Sequence, residues 1–468
     1  VTLTVEQSAI ITFVQNAVKE DRDEIILVPA VAGAGKTHLL RELVQNVPHT
    51  SGVYLSYNKS IATEAAKKFP PSIRCLTANA LAYRSTVKQL GLRVGNFGYK
   101  EIKEKIAYEL KADVVATLKE YCLSSYLDFE KFAEDKQISA VIAPIIKSYL
   151  EKMYSGTIEC SHDFYMKVFH MYLANGDLKF KKEDFLLIDE SGDLNEVTLE
   201  IFKLFPAKIK LAVGDSSQNI YAFNHTVNAF DILSAEGTTF QLTKSFRVSD
   251  KIAGRISEFC NRYLNEDMKF EGIPVTDETI ETRAFISRTN SGMVGAMIDL
   301  LAQNMGFNLV RNLKDIFELP LMVCYFSYQG RIDNPVYKHI QEDIDEWYED
   351  EALRLEFKSP LALLAERYEF DVPLMNAIKL VMSKGKQTII ATHDRAKDVV
   401  TKPSNLTLAT AHSVKGLEFD EVILLDDLNS IVEAAMLKPD TPESIQELNL
   451  YYVACSRARK SLKNAMHL

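Results

Sequence analysis

Seven short apolar runs constrain this chain more than any other feature: EIILVPA, SGVYLSY, DFLLIDE, IKLAVGD, TRAFISR, LTLATAH and DEVILLDD, each followed by a loop rich in Gly, Asp, Ser or Thr. A strand that is apolar along its whole length must be covered on both faces. Strands of that kind, alternating with helical periodicity, predict a parallel α/β sheet. The polar residues gather at the carboxyl ends of the runs, where such sheets hold their ligands. A length of 468 residues exceeds what one core supports and predicts about two to four domains.

Two regions interrupt the alternation. Residues 84–180 read almost wholly helical, and within them Ile102, Ile106, Leu110, Val114 and Leu118 recur at helical spacing, which predicts core packing. A second, mixed region at 321–384 holds Trp347 and an acidic run in which seven of the ten residues from Glu342 to Glu351 are Asp or Glu. Both read as insertions into the sheet domains.

Net charge is −10, which argues against a protein that coats nucleic acid indiscriminately but leaves room for a local basic groove. No apolar stretch reaches the roughly 18 residues that span a bilayer, and the N-terminus lacks a signal-peptide core. The expectation is no membrane partner and a cytoplasmic location, meaning the host cytoplasm for a viral source and the nucleus for a eukaryotic one. The six cysteines are scattered without a C-x-x-C pair, which predicts reduced thiols rather than a zinc site or disulfide framework.

The first run enters the turn Ala32-Gly33-Ala34-Gly35 and closes on Lys36-Thr37. Glycines let backbone N–H groups crowd round phosphates, the lysine neutralises β/γ oxygens, and the threonine hydroxyl ligates magnesium. Ala30 replaces the first glycine of the usual P-loop, a turn-shaping position where a small side chain suffices. The run FLLI ends in Asp189 and Glu190, one carboxylate to hold magnesium and the other to polarise an attacking water. The next run leads to Gln218, able to reach a γ-phosphate or that water, and then to Tyr221 and Phe223, whose spacing puts both rings on one side.

LTVEQSAII, AGAGKT, LIDESGD, VGDSSQNIYAF, LTKSFRVS, TAHSVKGLEFDEVILL and LYYVACSRA follow one another in this order. Together they resemble the helicase motifs of superfamily 1A, the UvrD/Rep/PcrA group. YLSYNKSIATEA and TANALAYR resemble most the compact F-box DNA helicase branch. The resemblance runs from Gln7 to Ala458.

It implies two RecA-like parallel-sheet P-loop domains, a helical 1B insertion, and a reduced insertion in place of 2B, since the large 2B domain cannot fit between Arg247 and Thr410. On that plan 1–83 and 181–240 form domain 1A around insertion 84–180, and 241–320 and 385–468 form domain 2A around insertion 321–384. It implies ATP and Mg2+ as cofactors, bound in the cleft between the RecA-like domains. Gln7 would read adenine, His38 would stand beside the base, and Glu418 would reach the ribose. Thr37 and Asp189 would serve the metal. Lys36, Glu190, Gln218, Arg247 and Arg457 would be catalytic, the two arginines gripping the γ-phosphate. Tyr57, Asn58, Lys59, Thr77, Tyr221, Phe223, His412 and Ser413 would line the DNA path.

The implied activity is ATP-dependent translocation on single-stranded DNA and unwinding of tailed duplexes, 3′→5′, with single-strand-binding or recombination proteins as candidate partners. Two other functions compete: a DNA-stimulated ATPase that remodels protein–DNA or recombination intermediates with little unwinding, and a regulatory P-loop ATPase that does not act on nucleic acid. The chain departs from the family pattern at several positions. The usual D-E-A-Q-D is Asp189-Glu190-Ser191-Gly192-Asp193, without the glutamine. His38 and Asn224 each stand in place of a frequent arginine, and Asn79 in place of a frequent histidine.

Overall fold

All seven apolar runs are strands, each parallel to its neighbours. The computed structural model describes residues 3–56, 58–98, 100–220, 227–264, 267–326, 339–369 and 371–468. Tyr57, Tyr221, Phe223 and Asn224 lie outside them. The chain divides into two units, Val1–Phe246 and Arg247–Leu468.

In the first unit, β1 (Glu24–Pro29), β2 (Gly52–Ser56), β3 (Ile73–Thr77), β4 (Glu183–Ile188), β5 (Ala207–Gly214) and β6 (Thr238–Thr239) form one parallel sheet in the order β3-β2-β4-β5-β1-β6. Ile26, Leu27, Val28, Phe185, Leu186 and Leu187 have no exposed surface, so the central strands are held by apolar burial on both faces. β5 lies between β1 and β4, which brings three loops to one stretch of the carboxyl edge.

The connection from β3 to β4 carries helices Tyr108–Leu123, Phe129–Asp135, Ala143–Tyr154 and His162–Asn175, and their core is continuous with that of the sheet through Leu55, Leu186 and Ile188. The helical periodicity expected from Ile102 onward is corrected here. The helix begins only at Tyr108, and Ile102 is buried from non-helical chain. Tertiary contacts override the spacing: the Tyr149 hydroxyl accepts from Lys103 N at 2.9 Å and sits 3.2 Å from the Glu101 carbonyl and 2.7 Å from Glu104 Oε2. Backbone pinned in this way cannot close helical turns.

This insertion contains a buried lysine. Lys167 is 1% exposed; its Nζ donates to the carbonyls of Ser124 and Tyr126 at 2.6 and 2.8 Å and lies 4.9 Å from the centre of the Tyr121 ring. Burial pulls its ammonium down to about 8. The unfolded chain therefore holds this proton across a window where the folded chain has released it, from about pH 8 up to the ordinary lysine value near 10.5. The contribution of Lys167 to stability should rise with pH through that window and be flat below it. Comparing thermal midpoints of wild type and Lys167→Met at pH 7.5 and 9.5 checks this: the gap should move in favour of wild type at the higher pH. A constant gap would contradict it.

The chain enters the second unit along β7 (Lys244–Ser249), which pairs with β8 (Glu271–Ile273). β9 (Arg283–Ser287), β10 (Asn308–Leu309), β11 (Leu406–Thr410), β12 (Phe419–Leu424) and β13 (Ala458–Lys463) form a second parallel sheet, ordered β10-β11-β9-β12-β13. Between β10 and β11 the elements found among the described residues are helices, from Leu313–Phe326 to Lys386–Val399, where the sequence reads as mixed. They bury Phe317, Val323, Ile340, Leu364, Ile378 and Ile389 in one core with Leu406 and Leu408 of β11. All six cysteines are free; five are buried and Cys75 is half-buried. No helix among the described residues is long and apolar enough to cross a membrane.

Candidate active site

The loop between β1 and helix Lys36–Asn46 is shaped by two left-handed residues, Gly33 (φ 75°) and Gly35 (φ 77°). Only glycine adopts that conformation at no steric cost. Ala30 instead continues the sheet, bridging Leu242 and donating its N–H to the Gly214 carbonyl at 2.8 Å. The glycine that is absent there is therefore not required by backbone conformation. The loop carbonyls are held from outside. Ala32 O accepts from Ser245 Oγ at 2.8 Å, Gly33 O from Phe246 N at 2.9 Å, and Ala34 O from Gln7 Nε2 at 3.4 Å. The helix that follows has no side-chain N-cap, and an uncapped helix N-terminus is a ready anion site.

β4 delivers two carboxylates to this loop. Lys36 Nζ donates to Glu190 Oε2 at 2.7 Å and Thr37 Oγ1 to Asp189 Oδ2 at 2.8 Å. Asp189 also accepts from the Tyr54 hydroxyl at 3.1 Å and from Glu190 N at 2.9 Å. Burial opposes the Lys36 charge, but Glu190, Asp189 and Asp215 outweigh it and hold the ammonium above its ordinary value. Burial and the neighbouring Glu190 raise Asp189, against Lys36, Thr37 and Tyr54. Glu190 itself adopts the left-handed backbone, φ 55° and ψ 42°, a conformation that costs a non-glycine residue about 1–2 kcal/mol.

The end of β5 completes this cluster. Asp215 is buried, and its Oδ2 accepts from Gln218 Nε2 at 2.6 Å and its Oδ1 from Ser217 N at 3.2 Å. Lys36, Thr37, Asp189, Glu190 and Gln218 are thus carried on three neighbouring loops of one unit.

Other expected site residues are engaged differently. Gln7 is fully buried and spends both ends of its amide inside the protein, accepting from Thr4 N at 3.1 Å in a capping box and donating to Ala34 O. His38 Nδ1 lies 2.8 Å from Arg41 Nη2, while its Nε2 is buried and meets no hydrogen-bonding partner among the described residues. Burial lowers the ring below its ordinary value, against the pull of Glu42.

In the second unit, Arg247 Nε donates to Glu418 Oε2 at 2.7 Å. Arg457 is buried and donates to Val453 O at 2.9 Å and Ser456 Oγ at 2.8 Å. His412 is half-buried and pulled down to about 4, by burial and then by Arg288. The Ser413 hydroxyl closes a turn on Thr410 O at 2.9 Å.

Asn58 and Thr77 are N-caps of helices Lys59–Ala66 and Ala78–Ser85, accepting from Ile61 N at 2.9 Å and Ala80 N at 3.1 Å. Ser56 and Thr77 are paired in register on β2 and β3. The two helix N-termini, with exposed Lys59, therefore follow adjacent strand ends.

Sequence reasoning did not single out Tyr54, Asp215 or Phe246. Phe246 is 41% exposed, and its ring lies 3.6 Å from where a Cβ on Gly35 would stand. An aromatic residue directly before the candidate arginine Arg247 was the available signal.

Residues 14–224 match the family model described as AAA domain, and 378–467 the one described as UvrD-like helicase C-terminal domain. The chain is 26% identical to F-box DNA helicase protein 1 of Schizosaccharomyces pombe over 94% of its own length and 55% of that protein. It is 24% identical to F-box DNA helicase 1 of Gallus gallus over 99% of its own length and 49% of that protein. It therefore spans about half the length of these curated relatives. The N-terminal AAA match, the C-terminal UvrD-like match and relatives aligned along nearly the whole chain together support one assignment, a UvrD-like helicase of superfamily 1A near the F-box DNA helicases.

Proposed function

We propose that this chain is the motor of an ATP-dependent DNA helicase that moves on single-stranded DNA in the 3′→5′ direction. The observation that supports it most is the convergence of Lys36, Thr37, Asp189 and Glu190 at an uncapped helix N-terminus. The triphosphate of ATP takes the place of Glu190 as the partner of Lys36. Glu190, released from that pair, accepts a proton from the attacking water, and Gln218 orients the water. Thr37 and Asp189 offer a hydroxyl and a carboxylate 2.8 Å apart, a hard-oxygen pair that fits Mg2+ and would hold it. The ion supplies charge neutralisation at the phosphate oxygens when bound. Arg247 and Arg457 supply positive charge to the transferring phosphoryl group. DNA phosphates meet the helix N-termini behind Asn58 and Thr77 beside Lys59, and Tyr221 and Phe223 stack on bases.

Phe246 extends the nucleotide site. An exposed ring beside Gly35 suits a purine face, and stacking of that kind contributes about 1–3 kcal/mol. Phe246→Ala should raise the KM for ATP about tenfold with little change in kcat. An unchanged KM would remove the ring from the nucleotide site.

The experiment for the whole reading measures ATP hydrolysis with and without oligothymidylate, and strand separation of 3′- and 5′-tailed duplexes. Strong stimulation with unwinding of the 3′-tailed substrate supports it. Glycine at position 192, where the family pattern has glutamine, favours a second reading, a DNA-stimulated ATPase that remodels protein–DNA complexes; stimulation without unwinding would select that one. A flat response to every oligonucleotide would leave only a regulatory ATPase.

A further inference from the structure

The residue that replaces the family glutamine makes a contact of another kind. A Cβ built on Gly192 would fall 2.3 Å from the Asp215 carbonyl oxygen and 3.0 Å from its carbon. One built on Gly214 would fall 2.6 Å from Gly192 N and 2.7 Å from both Ser191 N and Ser191 Oγ. Neither glycine has a positive φ, so each is bare for space and not for conformation. β4 and β5 pair up to Ile188 and Ala212. Just beyond, the 191–193 turn rests backbone to backbone on the end of β5. Ser191 is wholly buried there, and its hydroxyl has no hydrogen-bond partner among the described residues. An unmet buried hydroxyl is unfavourable, so this close seating is kept against a local penalty.

The carbonyl that Gly192 touches also holds Gln218, accepting its N–H at 3.2 Å, while the Asp215 carboxylate holds the Gln218 side chain. On the other side of the turn, Glu190 holds Lys36. We propose that Gly192 is a positioning residue: its bare contact with the Asp215 carbonyl locks Glu190 and Gln218 into one rigid piece. The functional half of this inference rests on the ATPase reading above.

The test uses the full chain with Gly192→Gln and Gly192→Ala. Either side chain must push the Asp215 carbonyl away and Gln218 with it. Misplacement of that order costs about 10–100-fold in turnover. The expected result is that loss in kcat, a KM for ATP within about twofold of wild type, and loss of stimulation by oligothymidylate. Amide exchange should rise together at 190–193 and 215–218 and stay unchanged in helix Lys36–Asn46. Gly192→Ala in a Gln218→Ala background should lower kcat no further, and Ser191→Ala should keep wild-type turnover.

Wild-type kcat and exchange in Gly192→Gln would overturn the inference. So would additive losses with Gln218→Ala, or exchange rising across the whole unit, which is a merely structural effect. If Gly192→Gln does not fold, Gly192→Ala carries the same comparisons. If wild type does not hydrolyse ATP, the proposed function fails, and exchange in the two segments still decides whether they are locked together.

Discussion

Lys36→Ala is expected to reduce ATP turnover by at least about 10²–10³-fold, the loss typical when a charge aimed at the transition state is removed from a dry site. The surroundings of Lys36 explain why a neutral residue cannot substitute. Burial alone would favour the neutral amine, yet Glu190, Asp189 and Asp215 keep the ammonium charged. A full positive charge is thus stored beside the loop before any phosphate arrives. Removing it also leaves Asp189 and Glu190 facing each other without their cation. The nucleotide-free variant should therefore lose thermal stability as pH rises from 5 to 8, more steeply than wild type, because carboxylates that repel bind protons more tightly folded than unfolded. Steady-state hydrolysis and a pH series of thermal midpoints measure the two effects. Turnover within tenfold of wild type would remove Lys36 from the chemistry.

The second large effect belongs to Arg247. As the proposed arginine finger, its replacement by alanine should lower kcat by about 10³–10⁵. The fold should barely register the change: Arg247 and Glu418 are 20% and 46% exposed in their ion pair, and such pairs add little stability. A shift in thermal midpoint of less than about 3 °C is expected. Glu418→Gln provides the contrast, since it frees Arg247 without removing it and should leave kcat within about tenfold. Arg457 cannot be tested as cleanly. It is 1% exposed and bonded to Val453 and Ser456, so its removal strands buried acceptors and costs stability as well as turnover. If Arg247→Ala hydrolyses ATP normally, the finger assignment is wrong and the Arg247–Glu418 pair is a surface contact.

The strands that sequence reveals are those buried on both faces. β1, β2, β4, β5, β9, β11 and β12 all read as apolar runs, because most of their central residues are buried against apolar neighbours. β3 and β13 do not, and both are edge strands. β3 exposes Arg74 between buried Ile73 and half-buried Cys75. β13 reads Ala-Arg-Lys-Ser-Leu-Lys because its polar side chains meet carboxylates on β12: Lys463 and Ser461 lie 2.7 and 3.1 Å from Glu421 Oε2, and Lys460 lies 3.7 Å from Asp420.

The P-loop, the carboxylate pair and Gln218 were legible because phosphate chemistry fixes residue type and spacing together. Contacts made by main chain leave no such trace. The seat of Gly192 on Asp215 reads in sequence only as a missing glutamine, and the capping role of Gln7 only as a motif residue. Periodicity misled at Ile102 and Ile106, where the Tyr149 hydroxyl holds the backbone out of a helix.

The left-handed backbone of Glu190 has a consequence for how this chain can change over time. At φ 55° the favoured residues are glycine, asparagine and aspartate, and glutamate is a poor occupant. Any lineage or library selected for thermal stability alone would gain about 1 kcal/mol by drifting to glycine at position 190, and would discard the proposed base in doing so. On the proposed mechanism, glutamate is kept there for turnover. Sorting variants of that position once by stability and once by ATP hydrolysis should give opposite rankings.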